Sequence, residues 1–199
     1  MSIEKKIPGV PVIGQYPVLP TGCEATALTM LLQWAGLQVE KEQVADALVK
    51  EPNPFEEDGV WRGGHPNRAF IGDPYDKDSF GVYHGPIAVA VDHFLPGRAH
   101  DITGCTFEEL LGVIDAGKPV IVWATIEMKE PRHTKSWQDI HDSGRVINWL
   151  SPEHCMTMIG YTPEHVIIND PHTGGTESYE RNLFRTRWEQ LGRQGVTLT

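Results

Sequence analysis

Cys23 has a position in the sequence that suits a nucleophilic thiol. It follows Gly22 and precedes an apolar run over residues 25–32 that has helical spacing. The first turn of a helix places a thiol near unpaired backbone N–H groups and the positive end of the helix dipole. We therefore expect Cys23 to have a lowered pKa and a reactive thiolate, although a single cysteine is more often buried and inert.

His154 is the candidate base for this thiol. It opens a predicted strand and lies 154 − 23 = 131 residues after Cys23, so only the fold can bring the two together. An imidazole beside a thiol can take its proton and later protonate a leaving amine. Because the chain contains nine histidines, His154 is a catalytic candidate only in combination with its partner residues.

Asp170 and Asn169 are both candidates to orient His154. Asp170 ends the next predicted strand, 170 − 154 = 16 residues after His154. Adjacent antiparallel strands place the start of one beside the end of the other, where a carboxylate can accept the second imidazole N–H. An amide can do the same, and only one of two successive strand residues should face His154. A plain turn at this Asn-Asp-Pro-His segment is an equal alternative on spacing alone.

Gln15 lies 23 − 15 = 8 residues before Cys23, in a segment rich in Pro and Gly. Its side-chain amide and the backbone N–H of Cys23 could together form an oxyanion hole, which stabilises the tetrahedral intermediate of acyl transfer. A glutamine in such a segment can also be merely solvated.

The periodicity of apolar residues predicts the elements that must position these side chains. Helices are predicted over residues 22–36, 43–49, 86–95, 106–115 and 182–191, and strands over 10–13, 119–126, 154–161, 164–169 and 195–199. Thr21 with Glu24 and Thr106 with Glu109 have the spacing of capping boxes. Residues 51–84 and 127–152 are predicted to be long loops, the first ordered and functional. Helices precede strands, which indicates one α+β domain over residues 1–199 with a helical half packed on an antiparallel sheet.

Composition disfavours several classes of protein. With 17 basic and 27 acidic residues among 199, the net charge is −10, which argues against a nucleic-acid partner. Three cysteines without a C-x-x-C pair indicate neither a disulfide framework nor a zinc ribbon. Without an H-E-x-x-H pattern we expect no catalytic metal, and we expect no cofactor.

No apolar run approaches the roughly 18 residues of a membrane span. The sequence as given has no signal-peptide pattern, so the default expectation is a cytoplasmic protein, or an exported one if this is a trimmed mature form.

Six ordered fragments resemble one family of enzymes. They are Gln15-Tyr-Pro-Val-Leu-Pro-Thr-Gly-Cys-Glu-Ala-Thr, Gly72-Asp-Pro-Tyr, Gly81-Val-Tyr-His-Gly-Pro, Gly117-Lys-Pro-Val-Ile-Val-Trp, Glu153-His-Cys-Met and Asn169-Asp-Pro. Their order is similar to that of the papain-like cysteine peptidases. More closely, they resemble the stand-alone branch of the bacteriocin-processing (double-glycine leader) peptidase family. The resemblance runs from about residue 10 to the C-terminus.

The resemblance implies both a fold and a set of roles. The fold is papain-like, with a helix that carries the cysteine packed on an antiparallel sheet that carries the histidine and aspartate. Cys23 is then the nucleophile, His154 the general base and acid, and Gln15 the oxyanion donor. The Asn-Asp-Pro match implies Asp170, rather than Asn169, as the orienting carboxylate. The implied activity is hydrolysis of peptide bonds in a peptide or protein substrate.

Two other functions stay open on the sequence. An acyl transferase or isopeptide-forming enzyme can use the same triad, since the pocket decides whether water or an amine accepts the acyl group. A peptide-binding module with an idle triad is the non-enzymatic alternative. The sequence does not indicate an oligomeric state. We expect the segment 51–84 to roof the cleft and to influence specificity.

Overall fold

The computed structural model describes residues 4–199, and it contains five α-helices and thirteen strands over that range. The helices are α1 (Cys23–Trp34), α2 (Lys41–Ala47), α3 (His84–Phe94), α4 (Phe107–Asp115) and α5 (Arg181–Gln190). The strands are β1 (Lys5–Lys6), β2 (Lys50–Glu51), β3 (Phe55–Glu57), β4 (Val60–Gly63), β5 (Phe70–Ile71), β6 (Ala99–Asp101), β7 (Val120–Thr125), β8 (Arg132–Asp139), β9 (Val146–Ser151), β10 (Glu153–Tyr161), β11 (His165–Asp170), β12 (Gly175–Glu180) and β13 (Gly195–Leu198).

The main sheet of the described chain has seven antiparallel strands. Six follow the order β12-β11-β10-β7-β13-β6, and β1 pairs with β10. Strand β7 is buried at every residue, because its two faces pack against different helices. Ile121 and Trp123 join the core that contains α1, whereas Val120 and Val122 join the core that contains α4 and α5. This confirms the predicted α+β fold with an antiparallel sheet.

Helix α1 lies inside the helical half and is buried without a break from Cys23 to Leu32. A helix that is apolar on all sides belongs in a core, and α1 packs on β10, β7, α2 and α3. The helix begins at Cys23, one residue after the predicted start. It therefore presents Cys23 at the point where the helical half meets the sheet.

The predicted capping box at Thr21 is wrong. Gly22 is the N-cap of α1 and no side chain caps it. The Thr21 hydroxyl instead donates to the carbonyl oxygens of Asp73 (3.1 Å) and Asp76 (2.8 Å), and Glu24 turns into the interior. The equivalent prediction for α4 is confirmed, since Thr106 and Glu109 form a capping box there.

The two segments predicted to be loops contain regular structure. Over the described residues β3, β4, β8 and β9 form a four-stranded sheet, and β2 pairs with β5 in parallel. The loop predicted over 127–152 is therefore wrong, and the segment 51–84 holds short strands. Most residues of β8 and β9 are polar, and several are exposed. The apolar residues Trp137, Ile147 and Trp149 pack inward and Asp139 is buried with them, so the sequence lacks the regular apolar alternation that signals a strand.

The strand predicted over residues 10–13 is also absent from the described chain. The carbonyl oxygens of Val10 and Pro11 accept hydrogen bonds from the Asn169 side chain instead. The edge of β10 is covered by β1, which pairs Lys5 with Tyr161 and Lys6 with Gly160. None of the helices between residues 4 and 199 combines the length and apolarity needed to cross a bilayer.

Candidate active site

The fold brings Cys23, His154 and Asp170 to one end of the interface between helix and sheet. Cys23 is the first residue of α1, His154 is the second residue of β10 and Asp170 ends β11. The antiparallel pairing of β10 with β11 places the start of one strand beside the end of the other. Cys23 and His154 both line a cavity of about 240 Å³.

His154 and Asp170 form a buried hydrogen-bonded pair. The distance from His154 Nε2 to Asp170 Oδ1 is 2.6 Å, and the two residues are 2% and 1% exposed. The geometry assigns the Nε2 proton to this bond, which leaves Nδ1 as the imidazole nitrogen that can serve a thiol. The pair thus fixes both the ring orientation and the tautomer.

Asp170 is held by two further donors. The Tyr179 hydroxyl donates to Oδ2 at 2.9 Å, and the backbone N–H of His172 donates to Oδ1 at 2.8 Å. Burial pushes the pKa of Asp170 upward, but its hydrogen bonds and the charge of His154 outweigh burial and lower that pKa. The carboxyl is therefore held in its ionised form, as an orienting group requires.

Asn169 faces the opposite side of β11, as the alternation of strand residues requires. Its Nδ2 donates to Pro11 O at 2.9 Å, and its Oδ1 accepts from the Thr176 hydroxyl at 2.7 Å. The amide fastens the N-terminal segment to the sheet. Of the two candidates, only Asp170 is hydrogen-bonded to His154.

The Cys23 thiol is turned toward the protein interior. The residue is 7% exposed, and Sγ donates to Glu24 Oε2 at 3.4 Å. Among the hydrogen bonds of the described chain, none joins Cys23 to His154. Burial, followed by the charges of Glu24 and Glu153, raises the pKa of the Cys23 thiol well above its ordinary value. The predicted lowering of this pKa is therefore wrong for this geometry, because burial and two acids outweigh the helix dipole.

Glu24 and Glu153 form an acidic pair next to the thiol. Glu24 is fully buried and its Oε1 accepts the Val82 N–H at 2.8 Å. Burial raises the pKa of Glu24 to about 7. Burial and the charge of Glu24 raise the pKa of Glu153 well above its ordinary value. Each acid is therefore readily protonated in its place.

The same three side chains could hold a metal ion. One potential ligand atom from each of Cys23, Glu24 and Glu153 lies within 4.8 Å of the other two, which is close enough to hold one ion. Within residues 4–199, this is the cluster of histidine, cysteine and acidic side chains that meets this criterion. Thiolate and carboxylate are ligand types of Zn²⁺, and binding requires that these groups lose their protons.

Gln15 lines the cavity, but its amide is engaged elsewhere. Its Nε2 donates to Leu19 O at 3.2 Å and to Pro20 O at 2.9 Å. Lys41 Nζ donates to Gln15 O at 3.1 Å and thereby anchors this segment to α2. Both amide hydrogens have acceptors, so donation to an oxyanion requires that Gln15 exchange one of these bonds.

A rigid aromatic wall closes one side of the cavity. Trp149 stacks on Tyr83 with 5.6 Å between ring centroids, and Phe80 meets Trp149 edge to face at 5.4 Å. Trp149, Phe80 and Ser79 line the cavity, and the last two belong to the segment 51–84. This segment thus contributes residues to the cavity wall, and its influence on specificity stays a prediction.

Sequence reasoning missed Glu24, Glu153 and Tyr179 as parts of this site. Glu24 directly follows the cysteine, but its spacing from Thr21 is that of a capping residue. Glu153 directly precedes the candidate base, but nothing in its spacing marks it as a site residue. Tyr179 lies in β12 and gave no signal, because its contact with Asp170 depends on strand pairing that the sequence does not display.

Comparison with known proteins agrees with this architecture. The chain is 33% identical to a "putative C39-like peptidase" from Bacillus anthracis whose crystal structure superposes with a TM-score of 0.89, covering 99% of this chain and 98% of that one. It is 29% identical over 182 residues to the uncharacterized protein YvpB of Bacillus subtilis (strain 168), covering 92% of this chain and 70% of that protein. The profile of the Peptidase_C39 like family matches residues 7–196. The chain therefore belongs to the Peptidase_C39 like family.

Proposed function

We propose that the protein is a cysteine peptidase that hydrolyses peptide bonds with Cys23 as nucleophile, His154 as base and acid, and Asp170 as orienting carboxylate. The observation that carries the proposal is the buried 2.6 Å bond between His154 Nε2 and Asp170 Oδ1, in a residue pair whose histidine shares a cavity with Cys23. A thiol, an imidazole of fixed tautomer and an ionised carboxylate are the components of covalent amide hydrolysis.

In the first half of the reaction, the Cys23 thiol turns from Glu24 toward His154 Nδ1 and gives up its proton. The thiolate attacks the carbonyl carbon, and the carbonyl electron pair moves onto oxygen. The Cys23 N–H has no acceptor further back in α1, so it can donate to this oxyanion. Gln15 Nε2 supplies a second donor by exchanging its longer bond to Leu19 O.

Collapse of the tetrahedral intermediate breaks the carbon–nitrogen bond. The His154 imidazolium gives its proton to the departing amine, which leaves a thioester on Cys23. A water molecule then gives a proton to His154 and attacks the thioester. The acyl group leaves as a carboxylic acid and the thiol is regenerated.

Cleavage of an unfolded protein tests the proposal. Reduced, carboxymethylated casein is incubated with wild type, with the Cys23→Ala and His154→Ala variants, and with Cys105→Ala as the matched control at a cysteine outside the site. Wild type and Cys105→Ala should produce new peptide termini, and the two site variants should not. Cleavage that survives Cys23→Ala would overturn the proposal.

The same digest, run in H₂¹⁸O, separates hydrolysis from acyl transfer. A hydrolase places one ¹⁸O atom in each new carboxyl terminus. An acyl transferase given a primary amine yields amide-capped termini instead. A protein that binds casein without cleaving it belongs to the peptide-binding alternative.

A further inference from the structure

Two buried acceptor oxygens in the cavity have no hydrogen-bond partner. They are Gln15 Oε1 and Glu153 Oε1, and both residues line the cavity that contains Cys23. Gln15 is only 4% exposed. Its amide cannot turn over, since that would place Oε1 against the carbonyl oxygens of Leu19 and Pro20. A buried acceptor without a hydrogen-bond donor lowers the stability of the fold. A ligand with N–H or O–H donors would satisfy these two oxygens.

The acidic pair at the same place lacks a basic partner among the described residues. Glu24 and Glu153 each have an oxygen within 4.8 Å of Cys23 Sγ. None of the ion pairs in the described chain joins either acid to a lysine, an arginine or a histidine. A cation that entered the cavity would stabilise the ionised form of Glu153 through a charge-assisted hydrogen bond.

The apolar walls of the cavity determine which kind of cationic group fits it. Phe80 and Trp149 give the cavity apolar surfaces, since Trp149 stacks on Tyr83 and Phe80 packs edge to face on Trp149. An aliphatic stem packs on such rings while its charged end reaches a carboxylate, and a cation near a ring face gains further attraction. A free α-amine has no stem to cover these rings. The walls therefore favour a long basic side chain.

We infer that this cavity is a subsite for a lysine or arginine side chain on the substrate residue that contributes the scissile carbonyl. Glu153 accepts the cationic head, Gln15 Oε1 accepts a further N–H, and Phe80 and Trp149 pack on the stem. Glu153 is thus the residue that determines specificity. The inference rests on the proposed function, because it places this side chain relative to attack by Cys23.

Matched covalent probes measure this preference without turnover. Acetyl-Ala-Lys chloromethyl ketone and acetyl-Ala-norleucine chloromethyl ketone share a four-carbon stem, and only the lysine probe carries an ammonium group. In each case the Cys23 thiolate displaces chloride to form a thioether, and the thiol proton passes to His154. Intact mass with peptide mapping gives the second-order rate constant for alkylation of Cys23.

We expect the lysine probe to react about tenfold faster or more in wild type, the size expected of one charge-assisted hydrogen bond. The ratio of the two rate constants should fall to about one in Glu153→Gln, where the shape is kept and the charge removed. Glu164→Gln, which changes an exposed acid, should keep the wild-type ratio. The ratio is the readout because Glu153→Gln also changes the intrinsic reactivity of Cys23.

Three results would overturn the subsite. One is a ratio near one in wild type, a result that does not depend on whether any variant folds. Another is a high ratio that persists in Glu153→Gln. The third is a norleucine probe with a free α-amine that reacts faster than the acetylated lysine probe, which would make the cavity an α-ammonium site. If casein cleavage depends on Cys23 while the ratio is one, the subsite fails and the peptidase stands. If the ratio is high and casein is not cleaved, the subsite stands and the peptidase fails.

Discussion

Cys23 and Glu24, neighbours in the sequence, are hydrogen-bonded through their side chains, with 3.4 Å between Sγ and Oε2. This bond engages the candidate nucleophile with a buried acid, and none of the hydrogen bonds of the described chain joins it to His154. Because the bond forms beside a second acid, the thiol is stabilised in its protonated form. After burial, the charge of Glu24 is the largest cause that raises the pKa of the Cys23 thiol.

Glu24→Gln should make Cys23 more reactive. The substitution keeps an oxygen for the Val82 N–H and removes the charge that, after burial, most raises the pKa of the thiol. A nearby charge shifts a pKa by about 1–3 units, so alkylation of Cys23 by iodoacetamide at pH 8 should accelerate about tenfold. Glu164→Gln should leave the rate unchanged. Equal rates in wild type and Glu24→Gln would show that Glu24 does not control the thiol.

Glu24 should also make the protein less stable as the pH rises. Its pKa is about 7 in the fold, against an ordinary value of 4.5, so between these values the native state binds more protons than the unfolded state. Stability conferred by the protonated acid is therefore complete below about pH 4.5 and is lost as the pH rises to 7. The loss amounts to about 3 kcal/mol at 1.36 kcal/mol per pKa unit. Urea titrations of wild type and Glu24→Gln from pH 4.5 to 8 measure it, and parallel curves for the two proteins would contradict the account.

The triad should respond in graded order to substitution. His154→Ala removes the base and should lower kcat on a cleavable peptide by about 10³-fold. Asp170→Asn should lower kcat less, by about tenfold, since the amide oxygen can still accept the Nε2 proton. Tyr179→Phe removes only the bond to Asp170 Oδ2 and should lower kcat least, about threefold, because the carboxylate keeps its bonds to His154 and to the His172 N–H. Equal losses in His154→Ala and Asp170→Asn would contradict an orienting role for Asp170.

Gly81 should tolerate no side chain. A Cβ at this position would lie 2.4 Å from Glu24 Oε1 and 3.3 Å from Glu153 Oε2, whereas a Cβ at Gly112 in α4 meets nothing within 4 Å. Gly81→Ala should destabilise the protein by about 1–3 kcal/mol through overpacking. Gly112→Ala should be neutral or stabilising by up to about 1 kcal/mol, because alanine favours the helix. Thermal midpoints of the two variants test this, and a harmless Gly81→Ala would show that the acids have room to move.

The main helices and the core strands could be predicted because their residues repeat with the period of a buried face. Strand β7 is apolar from Val120 to Ala124, and α4 carries a capping box and an amphipathic pattern. The hairpin of β8 and β9 escaped prediction because polar residues occupy most of its positions. Its order comes from Trp137 and Trp149, which pack with Ile71 from a distant segment.

The candidate site shows the same division. Residue type and order sufficed to nominate Cys23, His154 and Asp170. The state of the thiol could not be predicted, because it depends on Glu153 and on the burial of Glu24. A glutamate after a threonine at helical spacing suggests a cap, and only packing shows that Glu24 points into the core.

Partial alkylation of Cys23 tests the central claim most directly. The Cys105→Ala variant, which keeps Cys23, is treated with graded amounts of iodoacetamide. Each sample is then divided for intact mass with peptide mapping and for the rate of casein cleavage. If Cys23 is the nucleophile, the fraction of activity lost equals the fraction of Cys23 modified at every point. Full cleavage activity in a sample whose Cys23 is completely alkylated would contradict the account.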